Sequence, residues 1–439
     1  MNRTQIDATR RERRWSRFWA LPLVFIVAAC GVPTEDSAAQ TETSTYDVEY
    51  TIAPMPESGE ATVTMQVRQR DPLLREVRFA IKPERHFDFT GDGEVQVEGD
   101  EVRWHLPDRG GELSWRAKAR RRKGDNTYDA WLDENWGLLR LERLIPRTST
   151  RARRGAASRT VIDFDLPDGW SVVTPYLAVD GKFPVDDTDR QFDKPSGWMV
   201  MGPLGVRWDD VGGTRIVVAG PQGNSIRRMD IVTFLNWTLP EVQRLVPEPA
   251  KRVTIVSAGE PMWRGGLAAR NSLYIHADRP IVSENGTSTI LHEVLHVAFG
   301  IRSRPGADWI VEGLAEYYTV EILNRSGGLS AERTQRSFAS LAEWAKDVDV
   351  LCEDPSTGPQ TAYAVTLFAA LDIEIRSASG NLKNLDDVLE ILLASRERVS
   401  ATALVEAATT VLGKSPETLR EESLPGCEFE MPTLVTDTE

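Results

Sequence analysis

Two of the chain's five histidines, His292 and His296, stand four residues apart in "TSTILHEVLHVAFG", residues 287–300, with Glu293 directly after the first. The surrounding run is apolar and patterned for a helix. Side chains four apart share a helix face, so both imidazoles reach one point in front of it. Glu293 sits about 100° further round, able to touch a water at that point but badly placed to be a ligand. This is the H-E-x-x-H arrangement, in which two histidines hold zinc and the glutamate acts as general base on the water. Gly300 supplies a natural stop for the helix. The bland alternative, two core histidines satisfied by backbone partners, needs something else to neutralise Glu293.

Zinc in a hydrolase takes a third protein ligand and keeps a fourth position open. Beyond His296 comes "DWIVEGLAEYY", residues 308–318, with Asp308 as a candidate N-cap and Glu312 set among Ile310, Val311, Leu314 and Ala315. A carboxylate on so apolar a segment is costly to bury alone, and a metal removes that cost, so Glu312 is the candidate third ligand of one Zn2+ per chain. Gly313 points to a close approach of two helices around the metal. One turn on, Glu316 is placed to accept the free N–H of a ligand histidine and fix its tautomer; a solvent-exposed Glu316 is the competing reading. Tyr317 and Tyr318 read as packing residues.

These residues need elements to hold them. The chain has 439 residues and a formal charge of −14, enough length for several domains and an acidity that argues against nucleic acid as a partner. Residues 1–29 carry a basic start and the apolar run "FWALPLVFIVAA", too short to span a bilayer and shaped like a signal-peptide core. It ends in Val27-Ala28-Ala29-Cys30, which resembles the lipobox of bacterial lipoproteins. That resemblance implies lipidation of Cys30, a membrane partner and a place in the bacterial cell envelope; Gly31 favours an outer membrane facing the periplasm. Arg13-Arg14 is only loosely similar to a twin-arginine signal. Residues 30–45 read as a flexible tether.

From Tyr46 the pattern is period-2, in "ATVTMQVRQ", "GEVQVEGDEVRWHL", "TVIDFDLPDGWSVVTP" and "TRIVVAG", which predicts a β-sandwich-like domain over 46–220. The basic stretches "RAKARRRKG" and "RTSTRARRGAASR" within it read as solvated loops. After residue 225 helical spacing takes over, with a helix up to Pro240, strands at "KRVTIVSAG" and "SLYIHAD", and helices at about 288–299, 309–324, 329–346, 360–377, 384–395, 399–412 and 415–423. Cys352 and Cys427 either close one disulfide or stand as two buried thiols, since sequence does not show their distance.

"HEVLH" followed by "WIVEGLAEYY" resembles the gluzincin metallopeptidases, whose zinc ligands are the two motif histidines and a glutamate on the next helix. Within that group the chain looks most like the glycyl aminopeptidase family, because "WRGGLAARNSLYI" is similar to its G-G-L-E-H segment. Gly265, Gly266 and Leu267 agree with that segment as substrate-binding positions, whereas Ala268 and Ala269 stand where the family has glutamate and histidine. The glutamate would hold a substrate's amino terminus. Its absence leaves another acid such as Glu284 to substitute, or favours internal cleavage. Tyr363, in "TAYAVTLFAALD", is similar in place to the tyrosine that stabilises the oxyanion in the aminopeptidase N family.

The resemblance implies an α+β multidomain fold. A β-sandwich-like domain would be followed by a thermolysin-like catalytic domain over 221–350 and a helical region over 351–439, without the family's PDZ domain. The implied activity is zinc-dependent hydrolysis of a peptide or protein substrate. An extended substrate would pair with the strand at "NSLYIHAD". A zinc-containing lipoprotein that only captures peptides is the alternative.

Overall fold

The computed structural model describes residues 44–186, 191–395 and 397–427. The leader, Cys30 and nearly all of the tether lie outside the described residues. Alternation begins at once: in Thr45–Met55, Tyr46, Val48, Tyr50 and Ile52 are buried and their neighbours are not, because successive strand side chains face opposite ways. This strand lies between Ala157–Phe164, parallel, and Glu60–Arg68, antiparallel, in a six-stranded sheet. A four-stranded sheet including Leu74–Ala80 and Glu101–His105 adds Val77, Phe79, Val102 and Trp104 to the same core.

A third sheet, of five strands, is a middle layer. All five residues of its strand Trp198–Gly202 are buried. Met199 and Met201 join the sandwich core, while Trp198 and Val200 pack with Ala219, Val256 and Tyr274 of the next sheet. Apolar contact on both faces explains why this strand reads as a continuous hydrophobic run rather than an alternating one.

The next sheet, in the order Leu204–Val211, Thr214–Pro221, Arg252–Ala258, Ser272–His276, Gly266–Ala269, carries the motif helix. The strands Leu204–Val211 and Thr214–Pro221, expected in the N-terminal domain, belong to this sheet instead. Thr214–Pro221 pairs parallel with Arg252–Ala258, and helix Arg228–Leu245 forms the crossover. Hairpin-like alternation in the sequence does not reveal which sheet a strand will join.

That helix also runs through Pro240, where the sequence predicts a stop. A proline inside a helix costs about 3 kcal/mol. Val242 and Leu245 beyond it are buried, each contributing roughly 1.5–3 kcal/mol, so burial offsets the break. The expected helix at 415–423 shrinks to a 3-10 turn at Glu421–Ser423. Here the Glu374 carboxylate takes the N–H groups of Glu417 and Thr418, at 2.8 and 2.9 Å, and draws the chain into a turn.

The basic stretches are mainly strand rather than loop. "RAKARRRKG" spans the end of Gly110–Lys118 and the hairpin strand Arg121–Gly124; "RTSTRARRGAASR" covers Arg147–Ala152 and the start of Ala157–Phe164. The C-terminal helices Pro359–Ser379, Leu385–Ala394 and Ala401–Leu412 share one core with the motif helix and are continuous with it. Cys352 and Cys427 form a disulfide with a Cα–Cα distance of 5.0 Å. Among the described residues no helix is long and apolar enough to cross a membrane.

Candidate metal centre

The motif helix, Thr289–Phe299, is bounded as its sequence demands. Ser288 Oγ accepts from the Leu291 N–H at 3.3 Å, and Gly300, at φ 59°, donates its N–H to the His296 carbonyl. Ile290, Leu291, Val294 and Leu295 anchor one side in the core, which turns His292 and His296 to the other. The next helix, Asp308–Arg325, crosses in front and presents Glu312.

Asp308 is the first residue of that helix rather than its cap. Its carboxylate accepts from the Ser356 N–H at 3.0 Å, and Asp354 takes the free N–H groups of Gly306 and Asp308 at 2.8 and 3.2 Å. A carboxylate from a distant loop thus does the N-terminal capping, and Cys352, two residues before it, is the disulfide position. Gly313 does not face the motif helix. A Cβ there would lie 2.4 Å from Ala364 Cβ, so its role is the close packing of Pro359–Ser379. Tyr317 and Tyr318 are buried in the core, with the Tyr318 hydroxyl donating to Asp386 at 3.0 Å.

His292, His296 and Glu312 converge so that one donor atom from each lies within 4.8 Å of the others. His292 Nε2 is 3.0 Å from His296 Nε2 and 3.2 Å from Glu312 Oε2; His296 Nε2 is 3.3 Å from Glu312 Oε1. Two imidazole nitrogens aimed at each other beside a carboxylate make poor mutual partners, and a divalent cation fits this donor set of two nitrogens and an oxygen. His292 Nδ1–H donates to Glu316 at 2.9 Å, which leaves Nε2 as the lone-pair nitrogen turned toward the shared point. Replacing Glu316 by alanine is therefore expected to weaken metal binding by about 10–100-fold, read by competition with a chelator; unchanged affinity would show that Glu316 does not orient the ligand.

Glu293 is 7% exposed. Burial pushes its carboxyl above the usual carboxylate range, opposed by the positive charge available to the two histidines and by the backbone N–H of Ala268. Glu312 is held well below that range: burial raises it, and the hydrogen bonds from His292 and His296 outweigh burial. Gly266 has no room for a side chain, since a Cβ would lie 2.8 Å from Glu293 Cγ and 2.7 Å from Thr289 Cγ2. Gly265 packs under the Trp263 ring, and Leu267 continues the strand toward a neighbouring pocket. Of the three segment positions, Gly266 is the one that touches the site.

A cleft of ≈ 470 Å³ opens over these residues, bordered by Trp263, Arg279, Trp344, Thr357 and Thr361. Sequence patterns single out none of these five for chemistry, because they come from three loops and two helices. Tyr363 is not in the lining. Its hydroxyl donates to the Ser423 carbonyl at 3.0 Å and its ring packs on the helical core, so the expected oxyanion role does not fit its position. Glu284 borders a separate cavity with Arg333 and Arg336. Nor is Ser272–His276 a free strand: it is paired on both sides, and Gly266–Ala269 is the sheet edge.

No protein-family model and no curated protein matches the sequence. The fold does match solved structures. A crystal structure of an aminopeptidase N family protein from Idiomarina loihiensis aligns with a TM-score of 0.58 at 15% sequence identity, over 87% of this chain and 74% of that one. The likeness establishes a shared α+β fold.

Proposed function

We propose that this protein is a zinc-dependent metallopeptidase of gluzincin type, with His292, His296 and Glu312 as ligands and Glu293 as general base. The observation that carries the reading is the convergence of the three donor atoms within 4.8 Å, beside a buried carboxylate. A zinc ion there supplies Lewis acidity, lowering the pKa of water and polarising a carbonyl.

The chain's own residues supply the rest. Glu293 takes the proton of the attacking water and delivers it to the leaving amine. Burial raises its proton affinity, and the Ala268 N–H orients it. An extended substrate pairs with the edge strand Gly266–Ala269. The bond from the His276 N–H to the Gly265 carbonyl sets the alternation, so the peptide groups of Gly266 and Ala268 face away from Ser272–His276; Glu293 and Arg140 take the N–H and the carbonyl of Ala268, which leaves Gly266 as the position that pairs with substrate. Ala268 offers no carboxylate for a free amino terminus, which favours cleavage inside a chain.

The test is a mixed peptide library incubated with the zinc-loaded protein, with the products sequenced. Interior cuts are expected. Single-residue trimming would mean that another group holds the amino terminus, and no cuts with metal bound would turn the reading to peptide capture without hydrolysis. The reading also includes anchorage in a bacterial envelope through lipid on Cys30, supported by the leader and "VAAC". Cys30→Ser is expected to move the protein from the membrane to the soluble fraction; continued sedimentation with membranes would exclude this anchor.

A further inference from the structure

Next to the metal cleft lies a second cavity of ≈ 380 Å³, and its walls carry an unusual charge. Arg85, Arg121, Lys123, Arg140 and Arg143 line it, against two carboxylates, Asp129 and Glu142. The two acids do not neutralise the set. Glu142 accepts the Gly197 N–H at 3.0 Å, and Asp129 pairs with Arg121 at 3.4 Å. Arg85, Lys123, Arg140 and Arg143 form no ion pair with a carboxylate among the described residues. Arg143 is spent on the carbonyls of Ala119 and Arg120. This excess of positive charge occurs in a chain whose formal charge is −14, so general surface composition does not account for it.

The cavity adjoins the candidate site at identifiable atoms. Arg140 Nη2 donates to the Ala268 carbonyl at 3.0 Å, and the N–H of the same residue faces the Glu293 carboxylate. Lys123 Nζ sits 3.4 Å above the centroid of the Trp263 ring, and Trp263 borders the metal cleft. The hairpin that carries Arg121 and Lys123 is fastened beside the edge strand. Tyr128 N–H donates to the Pro261 carbonyl at 3.0 Å, and Trp263 N–H donates to the Tyr128 carbonyl at 2.8 Å. The β-rich half of the protein thus builds one wall of the substrate path.

We propose that this cavity is a subsite for a carboxylate on the substrate, making the protein a peptidase that selects acidic peptides. The inference rests on the peptidase reading of the metal centre. Unpaired cations in a recess bounded by protein attract an anion more strongly than the same charges in open water, and guanidinium groups present paired donors that match a carboxylate. Burial already presses on these cations: it pushes Arg143 down to about 10 and lowers Arg85, Lys123 and Arg140. A bound carboxylate relieves that cost, whereas a free amino terminus brought to Ala268 would meet like charge.

The carboxylate has two possible sources, an acidic side chain or the chain terminus. Two sets of peptides separate them: interior Glu against Gln with amidated ends, and free acid against amide ends without acidic residues. The wild-type protein, zinc-loaded, is expected to cleave the acidic member of one set with kcat/KM about tenfold higher. Arg85→Gln and Lys123→Met together, which remove two cations without an ion pair and leave Arg121 with Asp129, are expected to bring that ratio toward one. Cleavage without discrimination in either set, or discrimination that the double variant keeps in full, overturns the subsite and leaves the peptidase reading intact. If nothing is cleaved while zinc is bound, the peptidase reading fails. The same peptide pairs, labelled and titrated by fluorescence anisotropy, then decide the subsite: tighter binding of the acid that the double variant loses supports it, and equal binding overturns it.

Discussion

Glu293→Gln is expected to bind metal as the wild type does and to hydrolyse peptides about 10²–10⁴-fold more slowly, the range that a positioned general base contributes. The substitution keeps the volume of the side chain, so the strand at Gly266, whose missing Cβ leaves room for Glu293, has no reason to move. It also keeps an oxygen that can accept the Ala268 N–H. What it removes is the ability to take a proton. Metal content by elemental analysis and turnover on a peptide found cleavable by the wild type separate the two effects. Wild-type turnover in the variant would exclude Glu293 as the base; loss of metal would mean that its charge helps to hold the ion.

Glu312→Ala is expected to lose both metal and turnover. The two histidines alone give two donors, one fewer than catalytic zinc sites use, and the carboxylate is the only one of the three ligands that brings charge. The loss should exceed the about 10–100-fold expected for Glu316, which acts on the ion only through His292. The fold should persist, because the helix carrying Glu312 is anchored by Trp309, Ile310, Leu314, Tyr317 and Tyr318, all buried. Elemental analysis, turnover and a thermal melt check the three parts. A variant that keeps its metal would show that the ligand set is wrong.

These expectations rest on features that differ in how far they can be read along the chain. His292 and His296, and Glu312 and Glu316, sit on two helices at spacings of four, with Glu293 one position after His292, and local periodicity alone fixes which of these side chains share a face. The helix ends at Ser288 and Gly300, the alternation that buries Tyr46, Val48, Tyr50 and Ile52, and the helical candidates through residue 412 are local in the same sense. Each depends on hydrogen bonds and burial preferences that span a few residues.

Other features depend on partners far away in sequence. Tyr363 is placed by the Ser423 carbonyl and Asp308 by Ser356, while Gly313 answers to Ala364; no spacing rule connects them. Ser272–His276 and Gly266–Ala269 look alike as short strands, yet which one is the open edge depends on pairing with Arg252–Ala258. The disulfide needed a distance. The basic hairpin is the clearest case: "RAKARRRKG" reads as charge in solvent, and lines the second cavity beside the metal cleft because Tyr128 bonds to the backbone of Pro261 and Trp263. Periodicity tells a residue which face of its own element it occupies, whereas what that face meets is decided by long-range pairing, and it is there that the chemistry of the second cavity arises.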